Sequence, residues 1–398
     1  MSSQLSRLGL DHVVLEGGRV AQRWRQGSWD SLRLLTPNWM MRLPGFSYDG
    51  DDPDGFMPAG AFAARLERYA HAIAAPVIED APVVALEAAT VGYRAVTCRG
   101  TFTAPSVVIA TGACNAGAMP AFSGSVSARV FQLTAADYRN PASLPDGGVL
   151  VVGASSSGVQ IADELRRAGR AVTISTGRHN RLPRTYRGRD ILWWLDRTGI
   201  LDERFDEVAD IAAGRAQPSL QLVGSPDRRS LDLLALQRSG IRVVGRVLAA
   251  DGARLALAPG LDATVTAADA KMHRLLDRID EYAAAGLADA APSPAERPAS
   301  QPIAPAPDHL DLTAAGIGAV VWATGYRRDY SWLRVPMLDA AGELRHEGGV
   351  GTLPGVYVLG LRFMRRRKSS FIDGVGADAA ELSGHLAAYL RGDRRLAA

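Results

Sequence analysis

The chain has 398 residues, long enough for two or three domains with sizeable cores, and is 47% hydrophobic and 22% charged. A formal net charge of only +3 excludes the polyelectrolyte character of a nucleic-acid-binding chain, and its two cysteines, Cys98 and Cys114, exclude a disulfide framework or a C-x-x-C pair. No apolar run approaches the roughly 18 residues of a membrane span and no signal-peptide pattern opens at Met1. A soluble protein of the reducing cytoplasm is expected, with no membrane partner and, since His273 and His309 lack ligand spacing, no metal.

Residues Gln4 to Gly9 read as the last turns of a helix, and Asp11 to Glu16 as a strand ending in an acid. In a dinucleotide fold such an acid binds the ribose hydroxyls about 20 residues after a glycine-rich phosphate turn. Only 15 residues precede Glu16, and no G-x-G-x-x-G occurs between Met1 and Gly50. The first strand and phosphate turn of such a fold are therefore expected upstream of Met1, or else that binding function is lost. Next, Arg23-Trp24-Arg25 and Trp29 to Trp39 combine guanidinium and indole planes that either wall a flat heterocycle or simply pack together. Ala61 to Ala74 has an apolar face at helical spacing. Val83–Leu86, Tyr93–Cys98 and Val107–Ile109 read as an antiparallel meander and then a buried strand, which exits through Ala110-Thr111-Gly112.

The central stretch carries the strongest signal. Leu150 to Val152 reads as a buried strand, Gly153-Ala154-Ser155-Ser156-Ser157-Gly158 as a tight turn, Val159 to Ala168 as a helix stopped by Gly169, and Ala171 to Ile174 as a second strand. This βαβ pattern holds a dinucleotide pyrophosphate on a helix N-terminus, making Gly153, Ser155, Ser157 and Gly158 candidate ligands. Ser155 replaces the second glycine, with a hydroxyl and N–H that can both face phosphate. After the second strand, Thr176 and Arg178 stand where an acid would select NAD, which favours the 2′-phosphate of NADP.

Asp190 to Asp196 and Phe205 to Ala212 read as helices, Ile241 to Leu257 as two or three strands turning at Asp251-Gly252, and Asp269 to Gly286 as an amphipathic helix. A proline- and alanine-rich loop over Ala288 to Asp308 follows. The strand Val320 to Trp322 then exits through a second Ala323-Thr324-Gly325. After the strand Val356 to Leu359, a loop with Arg362, Arg365, Arg366, Arg367 and Lys368 suits an anionic ligand. Asp373-Gly374 opens the last helix, to Leu390.

Glu16, the Trp29–Asn38 stretch WDSLRLLTPN, both ATG turns, Gln132-Leu133 with Tyr138-Arg139-Asn140-Pro141, the Gly153–Gly158 turn and Ser369–Gly376 together resemble the flavin-containing monooxygenase-like flavoproteins over nearly the whole chain. The resemblance implies an α/β protein with two Rossmann-like dinucleotide-binding domains. The NADP domain (145–319) would be inserted into an FAD domain built from 1–144 and 320–398 that lacks its first βα unit. On this division the strand Ala319–Trp322 lies outside the sheet holding Leu150–Val152. It also implies FAD and NADPH as cofactors, and a small-molecule substrate that takes one oxygen of O2 through the reduced flavin. The implied cofactor-binding residues are Glu16, Arg23, Trp24, Thr111, Gly112, Gly153, Ser155, Ser157, Gly158, Thr176, Arg178, Thr324, Gly325, Asp373 and Gly374. Asn38 matches a polar residue beside the flavin, a catalytic candidate. Thr134 stands where the family's histidine follows Gln-Leu. That departure keeps open an NADPH-flavin reductase or oxidase without substrate oxygenation, and the unmatched phosphate turn keeps open a non-enzymatic NADP-binding protein.

Overall fold

The structure is a computed structural model that describes residues 1–286, 293–300, 303 and 306–392. The N-terminal part begins with α1 (Ser2–Arg7), β1 (Val14–Leu15), α2 (Gln22–Gln26), α3 (Ala59–Ala72) and β2 (Val77–Ile78). It continues through the meander β3 (Val83–Ala88), β4 (Tyr93–Thr97) and β5 (Gly100–Ala104) to β6 (Val107–Ile109) and β7 (Ala116–Gly117). Strand β5, absent from the sequence reading, is polar and half exposed, so it lacks the apolar run that marks its neighbours.

The middle of the chain starts with β8 (Phe131–Thr134), β9 (Gly148–Val152), α4 (Ser156–Arg167) and β10 (Val172–Ser175). Three short strands follow, β11 (Asn180–Arg181), β12 (Thr185–Tyr186) and β13 (Arg189–Asp190), then α5 (Ile191–Arg197), α6 (Ile211–Arg215), β14 (Leu220–Gln221) and α7 (Leu233–Arg238). Next come β15 (Arg242–Val244), β16 (Val247–Asp251), β17 (Arg254–Leu257), α8 (Leu261–Ala284), β18 (His309–Asp311) and β19 (Ile317–Trp322). A parallel five-stranded sheet in the order β15-β10-β9-β19-β8 organises this part. Its central strands are buried on both faces, hence their unbroken apolar runs. Val149, Val151, Ala319 and Val321 pack toward α4 and α7, whereas Leu150, Val152, Val320 and Trp322 pack against the β16-β17-β18 meander.

The division at 319/320 is corrected here. Strand β19 pairs with β9, Val320 opposite Leu150 and Trp322 opposite Val152, so Ala319–Trp322 belongs to the same sheet as the phosphate turn. The run Ala319-Val-Val-Trp322 is apolar on both faces and fills the slot between β9 and β8. Two strand-ATG exits are alike in sequence, but that likeness does not place their strands in one sheet. Strand β8 also lies inside this sheet, ahead of the expected start at 145.

The chain crosses between the two parts through β7 and β20 (Tyr326–Arg327), an antiparallel pair with Tyr326 opposite Gly117. Then come β21 (His346–Glu347), β22 (Val350–Gly351), β23 (Val356–Val358) and α9 (Ile372–Leu390). Here β23 pairs in parallel with β6, Tyr357 opposite Val108, so the two chain ends share a sheet and a core that runs from Leu5 and Ile109 to Leu382 and Leu386. The β1–β2 pair is a separate sheet, and both β1 and β6 keep one edge unpaired among the described residues.

Two helices differ from expectation. Helix α8 begins at Leu261, not Asp269, and only Ile211–Arg215 of the second mid-chain region is helical. Residues 204–207 instead form a turn tied to the C-terminal part by the Phe205 N–H to the Arg365 carbonyl, 2.9 Å. The loop expected over 288–308 lies partly outside the described residues.

Candidate active site

Two glycines set the start of α4. Gly153 has φ +109°, and a Cβ on it would sit 2.4 Å from the Ala323 carbonyl oxygen; a Cβ on Gly158 would sit 1.8 Å from the Gly153 carbonyl oxygen. The first turn of α4 is thus pressed on the end of β9, with the second ATG turn packed on Gly153. Ser155 is the N-cap and makes no side-chain cap bond. Ser156 donates to the Leu220 carbonyl at 2.7 Å, and Gln160 Nε2 donates to the carbonyls of Ser156 (3.1 Å) and Leu222 (3.2 Å). These bonds fix the 220–222 segment beside the turn, and Ser156, Ser157 and Gln160 face a cavity of about 860 Å³.

That cavity lies between the two parts of the molecule. Arg23, Trp24 and Trp29 line it from the N-terminal part, Ser156 and Lys271 from the middle, and Arg362 and Ser370 to Ile372 from the C-terminal part. Leucines of α5 and Met272 of α8 form an apolar wall. Its cations are Arg23, Arg33, Arg181, Lys271, Arg274, Arg278, Arg362 and Arg367, and no carboxylate lines it among the described residues. Such a surface attracts anionic ligands.

Of the residues expected from the sequence, Arg23, Trp24 and Ser157 line this cavity. Arg23 lies over the Tyr326 ring, 5.7 Å to its centroid, and Trp24 meets Phe62 edge-on at 4.7 Å. The Trp29–Asn38 stretch is latched to Tyr138–Asn140 and to α4. Ser31 Oγ donates to Glu164 at 2.6 Å, Tyr138 donates to the same carboxylate at 2.8 Å, and Asn140 Nδ2 donates to Asp30 at 2.6 Å. Burial pushes the Tyr138 hydroxyl far up, and the Glu164 carboxylate adds to it. Thr134 ends β8 and donates to Asp137 at 2.6 Å, away from the cavity lining.

Other expected residues serve different ends. Asn38 is 5% exposed, and its Nδ2 donates to the Asp52 carbonyl at 2.9 Å, holding the 52–55 loop; it does not line the cavity. Thr176 is 2% exposed, with its hydroxyl turned to the Gly177 carbonyl at 3.2 Å and 3.4 Å from His179 Nδ1. Arg178 is exposed beyond β10, and Arg246 at the exit of β15 packs against Gly177. Thr324 donates to the Ala118 carbonyl, and Gly325 (φ +95°) accepts from the Ala118 N–H, so this ATG turn builds the crossing between the parts. Thr111 and Gly112 (φ +71°) form the loop after β6. Glu16 accepts the Gly18 N–H at 3.2 Å at the end of β1. The Asp373 side chain is 2% exposed and held by Arg42 and Lys368, while a Cβ on Gly374 would lie 2.0 Å from the Lys368 carbonyl oxygen. Neither lines the cavity, although the turn just before them does.

The basic loop is mostly paired internally. Arg365 and Arg366 bond Glu381, Arg366 also bonds Asp378, Arg367 bonds Glu203, and Lys368 reaches Asp196, Asp202 and Asp373. Among the described residues, Arg362 alone in this loop has only neutral partners, the Gln217 carbonyl at 2.6 Å and Ser219 Oγ at 3.4 Å. Sequence reasoning missed Gln160, Tyr326, Arg246 and the α8 cations. The last had a readable signal, since Lys271, Arg274 and Arg278 recur at helical spacing. Cys98 and Cys114 are both free thiols, and Cys114 sits in the cavity lining, where desolvation pushes its thiol up.

Known proteins match this arrangement. The pyridine nucleotide-disulphide oxidoreductase family matches residues 1–189. A flavin-containing monooxygenase from Stenotrophomonas maltophilia superposes with TM-score 0.61 at 19% identity, covering 95% of this chain and 98% of that one, and so includes both parts of the molecule. The chain has the fold of the two-dinucleotide-binding-domain oxidoreductases. A bacillithiol disulfide reductase from Staphylococcus aureus shares the fold, with TM-score 0.57 at 12% identity over 97% of this chain and 94% of that one. An uncharacterized CzcO-like oxidoreductase of Geobacillus kaustophilus is 29% identical over 93% of this chain and 89% of its own length.

The residues present fit FAD and NADPH, the cofactors that the sequence resemblance implies. The α4 turn offers first-turn N–H groups beside cations with no competing carboxylate, as a pyrophosphate requires. The cavity also reaches the Ser370–Ile372 turn before α9 and the Arg23–Trp24 wall, where a flat ring can lie. Among the described residues no helix is long and apolar enough to cross a membrane.

Proposed function

We propose that this flavoprotein uses NADPH to reduce FAD and passes one oxygen of O2 to a small-molecule substrate. The observation that carries the reading is the single cavity onto which the α4 turn, the turn before α9 and the apolar α5–α8 wall all open. When bound, FAD accepts hydride from NADPH and reacts with O2. The chain's own residues bind, orient and exclude water. Ser156, Ser157 and the first-turn N–H groups of α4 hold the dinucleotide phosphates, and Arg178 with Arg246 receive the 2′-phosphate beyond β10 and β15. Arg23 stacked on Tyr326 and Trp24 packed on Phe62 present fixed planes to the ring system. We further propose that an NADP-binding unit centred on the five-stranded sheet is inserted into an FAD-binding unit built from both chain ends.

A second reading, an NADPH-flavin reductase or oxidase, draws support from Thr134, whose hydroxyl is occupied by Asp137 in place of the family's histidine. Oxygen accounting separates the two. With FAD-loaded protein, NADPH consumption, H2O2 release and oxygenated product are measured together. Product formed in step with NADPH supports oxygenation, whereas stoichiometric H2O2 under every substrate tried supports the oxidase reading. Equal affinity for NADH and NADPH, unaffected by Arg178→Ala, would refute the 2′-phosphate assignment.

A further inference from the structure

One end of the cavity carries positive charge that neither the α4 turn nor the turn before α9 uses. Lys271, Arg274 and Arg278 stand at i, i+3 and i+7 of α8, within one face of the helix. Across the described residues two of the five other cavity cations are neutralised, Arg181 by Asp269 and Asp232 and Arg367 by Glu203, while Arg23, Arg33 and Arg362 meet the Tyr326 ring or neutral oxygens. Arg274 and Arg278 make no ion pair among the described residues, and the half-buried Lys271 bonds only neutral oxygens. Its Nζ lies 2.8 Å from Asn180 Oδ1 and 3.0 Å from Gln217 Oε1. Both amides are themselves fixed, Asn180 Nδ2 by the Pro218 carbonyl at 2.7 Å and Gln217 through its carbonyl by Arg362 at 2.6 Å. An ammonium has three donors, so one remains for a ligand.

Burial pushes the Lys271 ammonium below its ordinary range, and Arg367, Arg274 and Arg178 push the same way, so an arriving anion relieves both effects. Beside this positive end, Met272 and Leu275 of α8 meet Leu192 and Leu195 of α5 in an apolar core separate from those flanking the five-stranded sheet. A head that takes negative charge and a wall that takes hydrocarbon describe one kind of guest.

We propose that this end of the cavity is the substrate-binding subsite and that the substrate is a small amphiphilic anion. A carboxylate- or phosphate-type head lies on Lys271, flanked by Arg274 and Arg278, and an apolar body lies along the α5–α8 wall. This rests on the oxidoreductase reading for the word substrate, but the anion site itself stands on the geometry alone. A phosphate head has a second possible source, the 2′-phosphate of NADP, and the test separates the two.

Octanoate and its neutral analogue octanamide are the probes, titrated against quenching of Trp24 and Trp29 in the cavity wall and checked by equilibrium dialysis. Wild-type protein is expected to bind octanoate at least about tenfold more tightly than octanamide, a preference lost in Lys271→Met and retained in Lys271→Arg. The Arg274→Gln/Arg278→Gln double variant alters two exposed positions, so it tests the same site without a folding risk at Lys271, and its preference should fall several-fold. NADP+ and NAD+ affinities should change less than about twofold in all variants. Equal binding of octanoate and octanamide by wild-type protein overturns the subsite. A large loss of NADP+ affinity in Lys271→Met with NAD+ unchanged also overturns it, by giving the site to the cofactor phosphate. Anaerobic reduction of bound FAD by NADPH is read separately. Its absence with the octanoate preference intact retires the oxidoreductase reading and leaves the anion site supported.

Discussion

Replacing Gly158 by alanine tests how the phosphate turn is built. The added Cβ would lie 1.8 Å from the Gly153 carbonyl oxygen and 2.8 Å from its carbon, both backbone atoms that no side-chain rotation can clear. Restoring ordinary contact requires α4 to retreat from β9 by about 1.6 Å, and α4 is also pinned by Glu164 and Gln160. Overpacking a tight site costs about 1–3 kcal/mol, and backbone meeting backbone places this one near about 3. The melting temperature is expected to fall by roughly 3–4 °C. The same retreat moves the first-turn N–H groups off the pyrophosphate, so NADP+ affinity should drop by about ten- to a hundredfold. Gly384→Ala is the control. It lies within α9 with nothing within 4 Å of the new Cβ, and should stabilise by up to about 1 kcal/mol. Thermal unfolding and NADP+ titration of both variants decide the matter. A Gly158→Ala protein with wild-type melting and affinity would refute the close-packed turn.

Arg181→Met should cost about 3–5 kcal/mol in denaturant unfolding, because it strands Asp269 and Asp232, which Arg181 meets at 2.5 and 3.3 Å; adding Asp269→Leu should recover part of the loss. His346 has its pKa lowered to about 4 by burial first, then by Arg215 and Arg328, and its Nδ1 accepts the Gly349 N–H at 3.2 Å. The fold therefore favours neutral imidazole, so stability present above about pH 6.5 is lost as pH falls toward 4, by at most about 3 kcal/mol. His346→Gln should flatten the stability–pH curve in that window, and an unchanged slope would remove His346 as its source. Glu164→Gln should destabilise by about 1–2 kcal/mol through the Ser31 and Tyr138 bonds, and Tyr138→Phe should cost less in that background than in wild type. Additive losses would show that the two groups are not coupled.

The sequence by itself determined the βαβ unit around Gly153–Gly158, because that depends on local patterns: apolar runs, a glycine where a Cβ would strike backbone, a helix with one apolar stripe. The two-dinucleotide-domain class and the FAD/NADPH pair were what the resemblance over nearly the whole chain implied. Helices α3, α5 and α9 were legible for the same reason. Tertiary structure decided which strand joined which sheet. Nothing in Ala319–Trp322 distinguishes a central strand of one parallel sheet from that of another, since both are apolar on two faces; only the slot between β9 and β8 assigned it. The site was less legible than the fold. Thr176 and Asn38 are the right kind of residue beside the right motif, yet the packing turns the Thr176 hydroxyl and the Asn38 amide nitrogen onto neighbouring backbone and leaves Asn38 Oδ1 buried without a partner among the described residues. The basic loop after Leu361 reads as an anion site, but Glu381, Asp378, Glu203 and Asp196 come from distant parts of the chain to neutralise it. Conversely, the α8 cations look like a solvated helix face until folding sets that face on a cavity whose described lining holds no acid. Local chemistry is written in neighbouring residues, whereas which charges remain uncompensated depends on long-range packing.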